Sequence, residues 1–340
     1  MQNKNIEQIT LGDSGISVSK VCLGTWAIGG WMWGGSEEEE SIRTIHAALD
    51  RGVNFLDSAP VYGFGRSEEI VGKALMGYVK REDVIIATKV GLEWDDKGTV
   101  FRNSTRKRIL NEVEDSLRRL QTDYIDLYQI HWPDPLTPIE ETAQVMDELL
   151  KAGKIRAVGV SNYTPEQMDA FRQVAPLHSV QSPYNLFERQ IEADVLPYAK
   201  KHGIAVLAYG AICRGLLSGK MKADTPFQGD DLRQHDPKFR EPRFAHYLGA
   251  VAELDDLAAK RHGRRVLELA IRWVLDQGAI ALWGARHPGQ LDPVAQVFGW
   301  SLTDQDLKDI DEIIRRNVPN PVGPEFMAPP QRKPVTPQVG

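Results

Sequence analysis

Along the chain, short apolar runs alternate with longer stretches in which apolar residues return every three or four positions. The runs are Lys20 to Leu23, Val53 to Leu56, Val84 to Thr88, Leu127 to His131, Ile155 to Val160, Ser179 to Gln181, Ala205 to Ala208 and Ala279 to Trp283. Between them the spacing is helical; Ile109, Val113, Leu117 and Leu120 fall on one face. Capping chemistry marks helix starts at Ser36 with Glu39, Thr137 with Pro138 and Glu140, and Thr164 with Pro165 and Gln167. Strands alternating with helices build a parallel sheet, and eight such units predict an α/β fold closed into a (β/α)8 TIM barrel.

Three segments fall outside the alternation. Ile9 to Leu11 and Ile16 to Val18, joined by Gly12-Asp13-Ser14-Gly15, read as an N-terminal β-hairpin closing the bottom of the barrel. Gly210 to Phe244, after the seventh strand, mixes Gly, Pro, Asp and Arg without a sustained period, and so long a loop inside a compact domain is usually functional. The pattern therefore divides the chain into a barrel domain over 1–316 and a Pro-rich tail over 317–340.

Three of the apolar runs lead into ionisable residues. Val53 to Leu56 runs into Asp57, with Tyr62 five residues on; Val84 to Thr88 leads to Lys89, and the fourth run ends on His131. Carboxyl ends of barrel strands converge on one face, so Asp57, Tyr62, Lys89 and His131 are expected around a single pocket. Taken singly, each has a plain structural explanation: a cap, a loop aromatic, a solvated charge, a satisfied core histidine. Four at strand ends together favour chemistry. A reaction in which negative charge builds on oxygen needs a proton donor there. Tyr62 suits that role if a cation lowers its pKa from about 10. Lys89 supplies the cation, Asp57 keeps it charged and oriented, and neutral His131 donates to the developing oxyanion.

Bulk properties narrow the partners. The 340 residues are 42% hydrophobic and 26% charged, enough for one large domain, and the formal net charge of -6 argues against nucleic acid or an anionic membrane as the main partner. Cys22 and Cys213 read as buried or loop thiols, which fits a reducing compartment, and no long apolar segment suggests a signal or a membrane span, so a cytoplasmic protein is expected. The acidic run Glu37 to Glu40 follows Ser36 and is explained as charge matched to a helix N-terminus. No Gly-x-Gly-x-x-Gly follows a first strand, so a Rossmann nucleotide domain is not indicated.

The tetrad resembles that of the aldo-keto reductases. With Leu23-Gly24-Thr25-Trp26, Gln129-Ile130-His131-Trp132-Pro133-Asp134, Gly159-Val160-Ser161-Asn162 and Gly284-Ala285-Arg286, the chain is similar from Leu11 to about Arg316 to the bacterial branch that includes general stress proteins and the potassium-channel β subunits. The resemblance implies reversible reduction of a small aldehyde or ketone, or oxidation of a polyol, favouring NADPH/NADP+ with NADH possible and no metal. It implies that Ser161, Asn162 and Gln181 hold the nicotinamide carboxamide, that Tyr209 stacks on the ring, and that Gly24, Thr25, Trp26 and Asp57 lie close by. Gly210, Ala211, Ile212, Cys213, Arg214, Gly215, Ser218 and Lys220 then form the loop around the pyrophosphate, whose amides and cations suit an anion. Gly284, Arg286 and Gln290 hold the 2′-phosphate, with Arg286 as the forked clamp. The chain departs from the family at Pro293 and Val294, where an acidic residue and an adenine-contacting asparagine are usual. Trp31, Met32 and Trp33 in a Gly-rich loop, with Trp132, are read as walls of the substrate pocket, or else as packing.

Other function classes remain open to a sequence reading. One is a nucleotide-state sensor or partner subunit with slow turnover. Another is a barrel enzyme of different chemistry, a Schiff-base aldolase using Lys89 or a metal hydrolase using Asp57 and His131, although an ammonium is unwelcome beside a metal.

Overall fold

A computed structural model describes residues 6–333 of the chain. Strands β1 (Gln8–Thr10) and β2 (Ser17–Ser19) form an antiparallel hairpin. There follow β3 (Val21–Gly24), β4 (Phe55–Asp57), β5 (Ile85–Val90), β6 (Leu92–Trp94), β7 (Val100–Arg102), β8 (Ile125–Ile130), β9 (Ile155–Ser161), β10 (Ser179–Pro183), β11 (Ala205–Tyr209) and β12 (Ile280–Gly284). The closed barrel runs β3, β4, β5, β8, β9, β10, β11, β12 and back to β3, parallel throughout, so the expected (β/α)8 architecture is the observed one.

Two layers of packing hold it. Inside the barrel, Cys22, Phe55, Ile85, Leu127, Ala157, Leu207 and Ile280 pack with Leu11, Ile16 and Val18 of the hairpin segment, which plugs the amino-terminal end. Outside, Ile45, Val71, Ile109, Met146, Phe171, Leu254 and Trp273 lie between strands and helices. The bottom is thus closed by apolar side chains, leaving the carboxyl ends of the strands as the open mouth.

Local chemistry departs from expectation in instructive places. The helix Pro165–Arg172 has the capping box predicted from Thr164 and Gln167. The helix Glu38–Asp50 instead begins after Glu37, with no side-chain cap; Ser36 Oγ donates to the Ile28 carbonyl 2.6 Å away, and the acidic first turn faces the helix dipole. Pro138, not Thr137, caps the helix Ile139–Lys151, because the Thr137 hydroxyl is taken by Asp134. Strands β6 and β7 form a hairpin that the alternation did not foretell, entered through Gly91 at φ 99, a conformation that suits glycine alone.

The loop after β11 is long, as expected, and carries only short 3₁₀ turns before the helix Arg243–His262. The described part of the tail, to residue 333, crosses the barrel mouth: the Arg102 amide and Nε donate to the carbonyls of Pro330 and Pro329 at 3.0 and 2.8 Å. Residues 334–340 of the predicted tail lie outside the described residues. Among the described residues no helix is long and apolar enough to cross a membrane.

Candidate active site

The floor of the mouth is made by strand ends. Asp57 closes β4, Lys89 sits one residue inside the end of β5, and His131 follows β8, so the closed sheet gathers residues far apart in sequence. Lys89 Nζ donates to Asp57 Oδ2 at 2.5 Å, to the Ser58 carbonyl at 2.8 Å and to Tyr62 Oη at 3.2 Å. The ammonium is fully buried, and its contacts are those a buried charge requires. Tyr62 packs edge-on to His131 with ring centroids 5.8 Å apart and stacks on Trp26 at 5.7 Å.

Burial sets the proton states. Desolvation pushes the Tyr62 phenol above its ordinary value, and the nearby Lys89 charge opposes this without reversing it. The expectation of a net acidified phenol is therefore corrected: in this site the hydroxyl stays protonated at neutral pH, ready to act as an acid. Lys89 is raised; burial alone would lower it, but the Asp57 charge and then Tyr62 more than compensate. Desolvation, reinforced by the Lys89 charge, holds His131 well below the ordinary imidazole value, so the ring is neutral at neutral pH.

Above this floor opens a cavity of about 560 Å³. Gly24, Thr25, Trp26, Asp57, Tyr62, His131, Ser161, Asn162, Gln181, Tyr209, Gly210, Ile212, Arg214, Gly215, Gly284, Arg286 and Gln290 line it, as do Trp31, Trp33 and Trp132. The structure leaves Ala211, Cys213, Ser218 and Lys220 off that wall: Ala211 and Cys213 are fully buried, and Lys220 is exposed. Arg214 reaches the wall but its guanidinium is committed to Glu188 and Asp236, so it is not a free cation for phosphate.

Asn162 sits at φ 61 and is fixed on both amide atoms, donating to the His131 carbonyl at 3.0 Å and accepting from Tyr209 Oη at 2.9 Å. Tyr209 is thereby held as one face of the cavity. Gly24 and Gly284 are neighbours across β3 and β12, and a Cβ on either would meet nothing within 4 Å. Together with the cation Arg286 beyond them, this open ribbon of backbone fits a long anionic ligand such as a dinucleotide. Val294, by contrast, is fully buried in a 3₁₀ segment interrupted by Pro293 and offers adenine no polar atom.

Several lining residues escaped the sequence. Leu92 and Val100 come from the unforeseen hairpin, and Phe326, Met327, Pro329 and Pro330 come from the tail. Arg233 stacks over Trp33 at 5.3 Å and Phe227 at 4.5 Å while paired to Asp231. At the rim, Asp230 accepts from the Met32 and Gly34 amides at 2.7 and 2.9 Å, and Arg286 Nη1 donates to the Trp33 carbonyl at 2.7 Å. Gln129, fully buried in β8 behind the lining, was also given no role, although it left a sequence signal: it has the parity of His131 in an apolar strand.

Residues 20–315 match the Aldo/keto reductase family. The chain is 61% identical to the aldo-keto reductase YhdN of Bacillus subtilis, over 96% of this chain and 99% of that protein. It is 34% identical to the NADH-specific methylglyoxal reductase of Escherichia coli, over 92% of this chain and 100% of that protein. Among solved structures, the glycerol dehydrogenase AKR11B4 from Gluconobacter oxydans superposes with a TM-score of 0.85 at 58% identity, covering 96% of this chain and 100% of that one. An aldo/keto reductase from Klebsiella pneumoniae, in complex with NADP and acetate, superposes at 0.71 with 27% identity, covering 91% of this chain and 95% of that one. With a closed barrel, a tyrosine and lysine in contact at its mouth and relatives matched end to end, this chain belongs to the aldo/keto reductase family of NAD(P)H-dependent oxidoreductases.

Proposed function

We propose that this protein reversibly reduces a small aldehyde or ketone to the alcohol, favouring NADPH, with Tyr62 as the general acid and base. The observation that carries the reading is Lys89 Nζ at 2.5 Å from Asp57 and 3.2 Å from Tyr62 Oη, directly beneath the cavity. When bound, the nicotinamide supplies or takes the hydride.

Tyr62 delivers its proton to the carbonyl oxygen as negative charge develops there, and Lys89 stabilises the phenolate left behind. Neutral His131 donates to the same oxygen and fixes its position. In the oxidative direction the roles reverse: Tyr62 must first lose its proton, so a phenol raised by burial favours reduction at neutral pH and oxidation at alkaline pH. Ser161, Asn162 and Gln181 would hold the carboxamide of that nicotinamide, and Tyr209, tied to Asn162, would offer the ring a flat wall. Trp26, stacked on Tyr62, and Phe326 of the tail are apolar walls of the cavity that would keep water from the reacting atoms.

The preference for NADPH rests on Arg286, an exposed guanidinium at the rim with nitrogens to spare for a phosphate. Similarity to an NADH-specific methylglyoxal reductase and to a glycerol dehydrogenase supports short dicarbonyls, aldehydes and polyols as the substrates to try first. The test follows NADPH and NADH oxidation with methylglyoxal and short aldehydes, and the reverse reaction with glycerol. Tyr62→Phe should lower the single-turnover rate by about 10²-fold or more, roughly 2.7 kcal/mol, while nucleotide affinity stays within about twofold. A near-normal rate in that variant rejects the role given to Tyr62, and tight nucleotide binding without turnover by the wild type favours the sensor reading instead.

A further inference from the structure

Beneath the tetrad lies a residue that the reaction as described does not use. Gln129 is fully buried in β8, in register with Lys89 on one side and Gly159 on the other. Its Nε2 donates to Asp57 Oδ1 at 3.0 Å. Gln181 Nε2 donates to the same oxygen at 3.0 Å and to Gln129 Oε1 at 3.2 Å. A carboxylate oxygen only accepts, so both amides must turn their nitrogens toward Asp57. The barrel makes room for this arrangement: a Cβ at position 159 would stand 2.9 Å from Gln129 Cγ and 2.4 Å from Ser179 Oγ.

We infer that Gln129 is a positioning residue that sets two functional groups at once, the carboxylate of Asp57 and the amide of Gln181. The inference rests on the reductase reading above. With Oδ1 taken by two amides, Asp57 presents Oδ2 to Lys89 and cannot rotate away from it. With its nitrogen drawn down by Asp57 and by Gln129 Oε1, Gln181 keeps its carbonyl oxygen for the nicotinamide carboxamide. One buried amide thus links proton delivery to nucleotide orientation, and a polar group in a dry network is expected to act on all its neighbours.

The test compares wild type, Gln129→Leu and Gln129→Glu, with Tyr62→Phe as the reference. Gln129→Leu removes donor and acceptor together, and should lower kcat about 10-fold and weaken NADPH about 5-fold. Gln129→Glu keeps the shape. Its protonated carboxyl can still donate to Asp57 and accept from Gln181, but its anion repels Asp57, and the neighbouring negative charge raises the pH at which it ionises. The pH profile of kcat/KM for this variant should therefore approach wild type near pH 6 and fall roughly 10-fold further than wild type by pH 9. A Gln129→Glu profile parallel to wild type overturns the inference, whatever Gln129→Leu does. Failure of the reductase reading is distinguishable, because the wild type would then show no turnover. Nucleotide binding, read by quenching of tryptophan fluorescence, should even then weaken with pH in Gln129→Glu alone.

Discussion

At the floor of the cavity Asp57, Lys89, Gln129 and Gln181 bond one another inside the barrel, on strands whose register leaves them no other place. At the rim the same kinds of group do different work. Asp230 and Arg286 hold the backbones of neighbouring loops, Arg233 lies over two aromatic rings, and the tail is laid across the opening by hydrogen bonds from Arg102. The floor places its charges in a buried, hydrogen-bonded lattice where each interaction is worth much. The rim is wet and built on loops, where a single contact is worth little but can be rearranged to admit one ligand and hold another. On the proposed reading, proton transfer belongs to the barrel, and choice of substrate and nucleotide to the loops.

Breaking the floor should have the largest effect. Lys89→Met strips Asp57 of its partner and Tyr62 of its cation, so kcat should fall by at least about 10²-fold and the fold should lose about 3 kcal/mol or more, read by denaturant unfolding. Stability equal to wild type would show that the buried pair is less strongly coupled than its geometry indicates.

At the rim the expectation is smaller and selective. Arg286→Ala should weaken NADPH about 10-fold, near 1.4 kcal/mol, and NADH by no more than about twofold, measured by fluorescence titration. Equal weakening of the two nucleotides would remove the 2′-phosphate role.

The smallest effect sharpens the contrast through pH. The His131 imidazole is held well below its ordinary value by burial and by Lys89, so below about pH 6.5 the unfolded chain binds the proton more readily than the folded one. Stability is therefore greatest above that pH and falls on acidification, by up to about 1.4 kcal/mol per pH unit for one group. His178, also lowered by burial, acts in the same direction. His131→Asn should flatten the pH dependence of unfolding between about pH 6.5 and 5 without abolishing it. An unchanged slope would mean that His131 is not the neutral donor at the floor.

How much of this was readable in advance follows the same division. The eight barrel strands announce themselves because buried strands must be apolar, and polar residues at their ends stand out against that background: Asp57, Lys89 and His131 are each the break in an apolar run. The hairpin Leu92–Trp94 and Val100–Arg102 was missed because three-residue strands at a loop tip carry no period. The family resemblance puts Arg214 at the phosphates, as a cation in a Gly-rich loop; it cannot show that Glu188 and Asp236 are folded against that cation. Nor does it show that Lys220, in the same segment, lies away from the cavity.

The sequence by itself determined the barrel and the face on which its strand-end polar residues gather, because the burial of apolar runs is a local property that the chain states directly. Only the tertiary structure decided which polar groups are already spent on one another, that burial outweighs the ammonium at Tyr62, and that the tail and the Asp230 loop complete the cavity. Those outcomes depend on desolvation and on pairings between residues up to hundreds of positions apart, and neither is written in any segment alone.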